Sequence, residues 1–151
     1  MRIKFLLQPA TIDDFDFLFD LNRITMYDHV VQTWGTWDEV WQKNYFKEKF
    51  NPSEYSIIVV CGQRAGTVAI MRDSQKIEVD RLQISPEFQN SGIGTAILNN
   101  LIMEAKKENK KLSLTVLKSN NRALSLYEQK GFKVVGENKE RYFMQYAQGV
   151  N

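Results

Sequence analysis

One cysteine, one histidine and three prolines stand in a chain of 151 residues, and each scarcity closes off a class of function. Cys61 has no partner for an internal disulfide. Together with His29 it falls short of any His/Cys zinc site, so no metal is expected. Cys61 and His29 also stand in unrelated segments, which disfavours a cysteine–histidine nucleophile pair. Charge of one sign is lacking too. Lys+Arg is 20 and Asp+Glu is 18, a net +2, where a dedicated nucleic-acid binder shows a strong basic excess. No apolar stretch approaches the ~20 residues that span a bilayer. The apolar start through Leu7 is cut short by Gln8-Pro9 and Asp13-Asp14, too soon for the core of a signal peptide. The expectation is a cytoplasmic protein with neither nucleic acid nor membrane as partner.

There is also no Pro/Gly/Ser-rich linker, no repeat and no low-complexity tract. Residues 1–151 are therefore expected to form a single domain. A chain of this length buries roughly 68–70% of its unfolded surface without needing a staple.

What is present reads as alternating strands and helices. Arg2 to Gln8 is a candidate strand. Thr11-Ile12-Asp13-Asp14 has the capping-box pattern, and Phe15, Leu18, Leu21 and Ile24 follow at helical spacing. A second helix is expected from Asp38 to Phe50. Tyr55–Cys61, Thr67–Met71 and Lys76–Ile84 then read as an antiparallel meander, with turns at Gly62–Gly66 and Asp73–Gln75. Ile93, Ile97, Leu98, Leu101, Ile102 and Ala105 fall on one helix face, and Leu112, Leu114 and Val116 alternate as a strand. A helix from Asn121 to Lys130 is stopped by Gly131, and Phe132–Val135 and Arg141–Tyr146 close the chain as strands. The order β-α-α-β-β-β-α-β-α-β-β is that of an α/β (α+β) fold, a mixed and mostly antiparallel sheet flanked by helices.

The loop after the third meander strand carries the most chemistry. Gln89-Asn90-Ser91-Gly92-Ile93-Gly94-Thr95 places two glycines at the start of an amphipathic helix. Glycine lets a backbone approach a ligand closely. The first turn of a helix presents unpaired N–H groups and the positive end of its dipole. Together they suit a phosphate or pyrophosphate, although the same glycines would also serve a tight strand-to-helix turn. A phosphate-binding P-loop needs a lysine after the second glycine, and Thr95-Ala96 stands there instead. A dinucleotide fold needs its glycine turn after the first strand of a βαβ unit, which this loop does not follow.

These residues resemble the acyl-CoA signature of the GNAT family of N-acetyltransferases, Gln/Arg-x-x-Gly-x-Gly/Ala, preceded by the strand end at Leu82, Ile84 and Pro86. A second element is similar as well: Asn120-Asn121-Arg122-Ala123-Leu124-Ser125-Leu126-Tyr127, with Gly131-Phe132 beyond it, matches the family's Asn-x-x-Ala-x-x-Leu-Tyr-x-x-x-Gly-Phe. A Tyr-x-Met strand follows at Tyr142-Phe143-Met144. The resemblance spans essentially the whole chain and is close from about Ile77 to Phe132.

The resemblance implies an acetyl-CoA-dependent N-acetyltransferase acting on a primary amine of a small molecule or peptide. It implies that the loop amides of Gln89, Asn90, Ser91, Gly92, Ile93, Gly94 and Thr95 hold the CoA pyrophosphate. The backbone of Leu82, Gln83 and Ile84 would hold the pantetheine arm, with the acyl carbonyl at a splay between the fourth and fifth strands. Asn120 would lie near the thioester. Tyr127 matches the family's general acid, and Glu78 and Asp80 match strand positions that supply the base in several branches. Period-2 geometry puts both acids on one face with Leu82 and Ile84, a largely apolar setting in which desolvation perturbs carboxylates; the alternative is a solvated strand start, or pairing with Arg81 or a nearby lysine. Another branch carries its glutamate on the fifth strand. Thr115 stands there and cannot be a base, which argues against close kinship to ribosomal-protein N-terminal acetylators. Dimers are common in the family, so a homodimer is a further expectation. The alternative function is a catalytically silent module that binds acyl-CoA.

Tyr27 to Trp41 contains all three tryptophans and the histidine. The resemblance implies that this region lines the acceptor site. Trp34, Trp37 and Trp41, at i, i+3 and i+7, are expected as one packed helix face; aromatic faces beside acids would also suit a cationic amine.

Overall fold

The computed structural model describes residues 3–147. Among them the elements follow the expected order: β1 (Leu6–Pro9), α1 (Phe15–Trp34), α2 (Glu39–Lys49), β2 (Tyr55–Val60), β3 (Gln63–Arg72), β4 (Lys76–Ile84), α3 (Ile93–Glu108), β5 (Lys111–Leu117), α4 (Asn121–Gln129), β6 (Phe132–Glu137) and β7 (Arg141–Tyr146). The strands line up as β1-β2-β3-β4-β5-β7-β6, the mixed and mostly antiparallel sheet anticipated from the sequence. No helix among the described residues is long and apolar enough to cross a membrane. Contacts divide the chain into two compact units, Met1–Ala69 with Arg81–Ile93, and Ile70–Asp80 with Gly94–Asn151.

In the first unit, Thr11 caps a 3-10 turn in both directions. Its hydroxyl accepts from the Asp13 N–H, and the Asp14 carboxylate accepts from the Thr11 N–H at 2.8 Å. That turn leads directly into α1. Leu18 and Leu21 are buried as expected, but Ile24 is exposed. Nine residues at roughly 100° each make about two and a half revolutions, so Ile24 stands opposite Phe15. Phe19 and Asn22 complete the buried stripe instead. Asp38 caps α2 by accepting from the Trp41 N–H at 3.0 Å. Leu18, Phe19, Phe46, Tyr55, Ile57 and Ala69 form the core here. Three boundaries differ from expectation. β1 begins at Leu6 rather than Arg2, which lies outside the described residues. The β2–β3 turn is only Cys61-Gly62, both at positive φ (49° and 77°), so β3 begins at Gln63. α1 runs on to Trp34, where Gly35 at φ 89° ends it.

That last difference corrects the tryptophan reading. Trp34 belongs to α1, Trp37 to the connector and Trp41 to α2. A left-handed glycine resets the helical phase, so the i, i+3, i+7 spacing does not survive the break. Trp34 and Trp41 are exposed. Trp37 meets Tyr27 at 5.7 Å, and Trp41 stacks on Tyr45 at 5.0 Å.

The second unit is built on a parallel pair. β4 pairs with β5 from Lys76↔Lys111 to Val79↔Leu114. Parallel strands need a crossover, and α3 supplies it. All six residues assigned to its apolar face are buried, as are Leu112, Leu114 and Val116 of β5. Gly131, at φ 101°, ends the turn after α4. β7 then pairs antiparallel with both β5 and β6. The charged residues from Lys106 to Lys111 span the end of α3 at Glu108 and the first residue of β5. Lys106 and Lys107 fall in the last turn of α3, where cations complement the dipole, and Lys110 pairs with Glu108 at 3.2 Å.

Candidate active site

The loop after β4 is held by its own side chains. The Gln89 side-chain amide donates to the Ile84 carbonyl at 2.8 Å, which pins the loop to the strand end it leaves. The Ser91 hydroxyl donates to the Phe88 carbonyl, and Ser91 is buried. The Ser85 N–H donates to the Ala65 carbonyl at 2.8 Å and anchors the exit of β4 on β3. With these ties in place the backbone takes left-handed conformations at Asn90 (φ 60°) and Gly92 (φ 88°). Asparagine and glycine are the residues that tolerate this region. Ile93, Gly94 and Thr95 then open α3, and the N–H groups of a first helical turn have no carbonyl within their helix to meet. The loop is thus a backbone device: the side chains of Gln89 and Ser91 shape it, and the amides are what it can offer an anion.

Leu82 and Ile84 are half-buried, and Gln83 is buried. Upstream, the regular alternation of burial holds at Ile77 and Val79 and is lost at Arg81 and Leu82, both half-buried. The pairing of β4 with β5 runs from Lys76↔Lys111 to Val79↔Leu114, within the second unit.

Glu78 is half-buried, and Asp80 is exposed. Asp80 therefore lacks the apolar surroundings that its spacing suggested. Neither acid forms an ion pair among the described residues, so the alternative pairing with Arg81 is not found.

Asn120 caps α4, its side-chain oxygen accepting from the Ala123 N–H at 3.2 Å. Tyr127 lies one helical turn before Gly131 and is 8% exposed. Its ring meets Phe132 edge-on. Burial pushes the phenol up to about 12, so it stays protonated throughout the neutral range.

One constellation had no signal in the sequence beyond a charged residue midway along a strand. Arg81 donates through Nη1 to the Asn22 side-chain oxygen at 2.7 Å, and the Gln83 amide donates to the same oxygen at 2.9 Å. The Arg81 guanidinium lies over the Phe46 ring, 4.9 Å from its centroid. Asn22 and Gln83 are buried, and Arg81 is half-buried.

The chain matches the family model of an acetyltransferase (GNAT) domain over residues 25–147. It is 27% identical over 142 residues to an uncharacterized N-acetyltransferase of Methanocaldococcus jannaschii, covering 84% of this chain but 60% of that protein. It is 23% identical over 146 residues to a putative ribosomal protein bS18-alanine N-acetyltransferase of Bacillus subtilis, covering 94% of this chain and 89% of that one. Among solved structures, PaiA N-acetyltransferase from Thermoplasma acidophilum in complex with coenzyme A superposes with a TM-score of 0.76 at 18% identity, over 97% of this chain and 100% of that chain. Arabidopsis thaliana Naa50, in complex with the bisubstrate analogue CoA-Ac-MVNAL, gives 0.68 at 16% identity over 97% and 100%. At these identities the two structures bear on the fold alone.

Proposed function

The chain belongs to the GNAT acetyltransferase family, and from that premise we propose that it acetylates a primary amine of a small molecule or peptide, with acetyl-CoA as co-substrate. The observation that carries this reading is the loop after β4, pinned by Gln89 to the Ile84 carbonyl and left-handed at Asn90 and Gly92, which runs into the start of α3. A pyrophosphate needs converging N–H groups, and Gln89 to Thr95 are the residues proposed to supply them. The backbone of Leu82 to Ile84, just before the loop, is proposed to hold the pantetheine arm.

Acetyl-CoA, when bound, supplies an activated acyl group. The remaining work falls to this chain's side chains. An alkyl ammonium has a pKa near ~10.4 and cannot act as a nucleophile until it loses a proton. Glu78 and Asp80 are the carboxylates proposed to take that proton, directly or through water. The phenol of Tyr127 is protonated at neutral pH and would donate to the thiolate that leaves. The side-chain oxygen of Asn120 is committed to the cap of α4, so its amide nitrogen is the donor proposed to lie near the thioester. A peptide amine as acceptor is consistent with the Bacillus subtilis relative named for an alanine of a ribosomal protein.

The test is release of free thiol from acetyl-CoA across polyamines, aminoglycosides, amino acids and short peptides, with Gly92→Glu as control. Transfer to at least one class, with CoA affinity lost in the control, supports the reading. CoA binding without transfer to any acceptor would leave the silent acyl-CoA-binding module in its place. CoA affinity that survives Gly92→Glu would remove the loop from the site.

A further inference from the structure

Arg81 is a positive charge without a negative one. Arg23, Arg64 and Arg72 each pair with a carboxylate, whereas Arg81 forms no ion pair among the described residues. Its contacts are the neutral Asn22 oxygen and the face of Phe46. Its Nε is enclosed with no hydrogen-bond partner, and so is Oε1 of the buried Gln83 beside it. A half-buried guanidinium held only by neutral groups has given up hydration without a counter-charge in return. Yet it is well oriented. Asn22, from α1, accepts from both Arg81 and Gln83, and Phe46, from α2, sits under the guanidinium plane. A fork of N–H groups in a fixed orientation is the geometry that binds a carboxylate at two points.

We propose that Arg81, positioned by Asn22 and Gln83, binds a carboxylate carried by the acceptor, so that the preferred substrate is an amine with an anionic group, as in an amino acid or an acidic peptide. This rests on the acetyltransferase reading. Under that reading the anionic groups of acetyl-CoA are its phosphates, which the loop from Gln89 to Thr95 takes. Arg81 stands three residues before the end of β4, ~10 Å back along the strand. The anion that Arg81 lacks therefore belongs to the other substrate.

The experiment uses the full chain with CoA present and compares N-acetylglycine with N-acetylglycinamide, a matched pair that differs in the carboxylate. Binding is followed by the arginine side-chain N–H resonances, with the Arg81 signal identified by its loss in Arg81→Gln. The carboxylate should shift that signal and bind roughly 10- to 100-fold more tightly than the amide. Arg81→Gln should abolish the difference and leave CoA affinity unchanged. Asn22→Asp, which keeps the guanidinium and sets an internal carboxylate against it, should abolish it too, and it carries the test if Arg81→Gln does not fold. With accepted amines, the preference for a free carboxylate over its amide should appear in KM, with kcat nearly constant. Equal binding of the two probes by wild type, as expected if Arg81 is satisfied by buried water, would overturn the proposal. So would a preference that survives in Arg81→Gln, or a fall in CoA affinity in that variant, which would assign the charge to the cofactor. If no amine accepts acetyl, the acetyltransferase reading fails while the binding comparison still decides the role of Arg81.

Discussion

Tyr127 and Phe132 meet edge to face with ring centroids 6.0 Å apart, so the last turn of α4 is locked to the first residue of β6. Both rings are buried. That contact fixes the Tyr127 ring and leaves its hydroxyl as the variable part. Tyr127→Phe keeps the packing and removes the proton donor. If the phenol is the acid, the rate should fall by ~10²–10⁴-fold with CoA affinity and folding close to wild type. A full-rate variant would return Tyr127 to packing alone. A second reading is available at high pH. The phenol is raised from 10.0 to about 12 by burial. Its contribution to stability is thus complete below pH 10 and lost as pH rises through about 12. Unfolding curves across that window should show this loss in wild type and not in Tyr127→Phe.

Gly66 of β3 lies against the backbone carbonyl of Gln83 in β4, and a Cβ built on it would collide with that oxygen. The obstacle is backbone, so no rotamer change relieves it. Gly66→Ala should destabilise the fold by about 1–3 kcal/mol, measured by urea midpoint. Gln83 lies in the strand proposed to hold pantetheine, so CoA affinity should fall as well. Wild-type stability and affinity in Gly66→Ala would mean that β3 and β4 can shift apart freely.

Glu39 is held near pH 2 by its surroundings. Arg23 donates to it from two nitrogens at 3.1 and 2.8 Å, Trp37 donates at 2.8 Å, and together they lower the carboxyl from 4.5 to about 2. A depressed carboxylate stabilises above its unfolded pKa and ceases to as pH falls through the folded one. Acid titration should therefore show a loss of stability from about pH 4.5 towards 2 that Glu39→Gln lacks. The group is exposed, so 1 M salt should flatten the effect. Identical acid limbs in the two proteins would show that the pair contributes nothing in solution.

Glu78→Gln combined with Asp80→Asn tests the base. Removal of the acceptor proton limits the rate most at low pH, so the double variant should lose most activity there and recover as pH rises towards the amine's own pKa. Since Asp80 is exposed and Glu78 is half-buried, Glu78→Gln alone should account for most of the loss. A pH–rate profile unchanged in the double variant would move the base elsewhere on the chain.

The order of elements was legible in the residues because each signal is local. A capping box spans four residues, a helix face repeats within two turns, and a glycine stop acts on the turn before it. Thr11 to Asp14, the buried face of α3 and the stop at Gly131 all follow from such short-range rules. The glycine loop was legible for the same reason, since its shape depends on neighbours within a few residues, such as Gln89 bonding to Ile84. Tertiary structure alone decided that Arg81 meets Asn22 across 59 residues and that Gln83 meets it across 61. It also decided that Trp34, Trp37 and Trp41 would part into two helices and the connector between them, around Gly35. The physical reason is common to both. Periodicity states which face of an element is apolar, but not which distant residue meets a polar group on it. That choice is made by packing, when a buried donor takes the acceptor that the fold brings within reach.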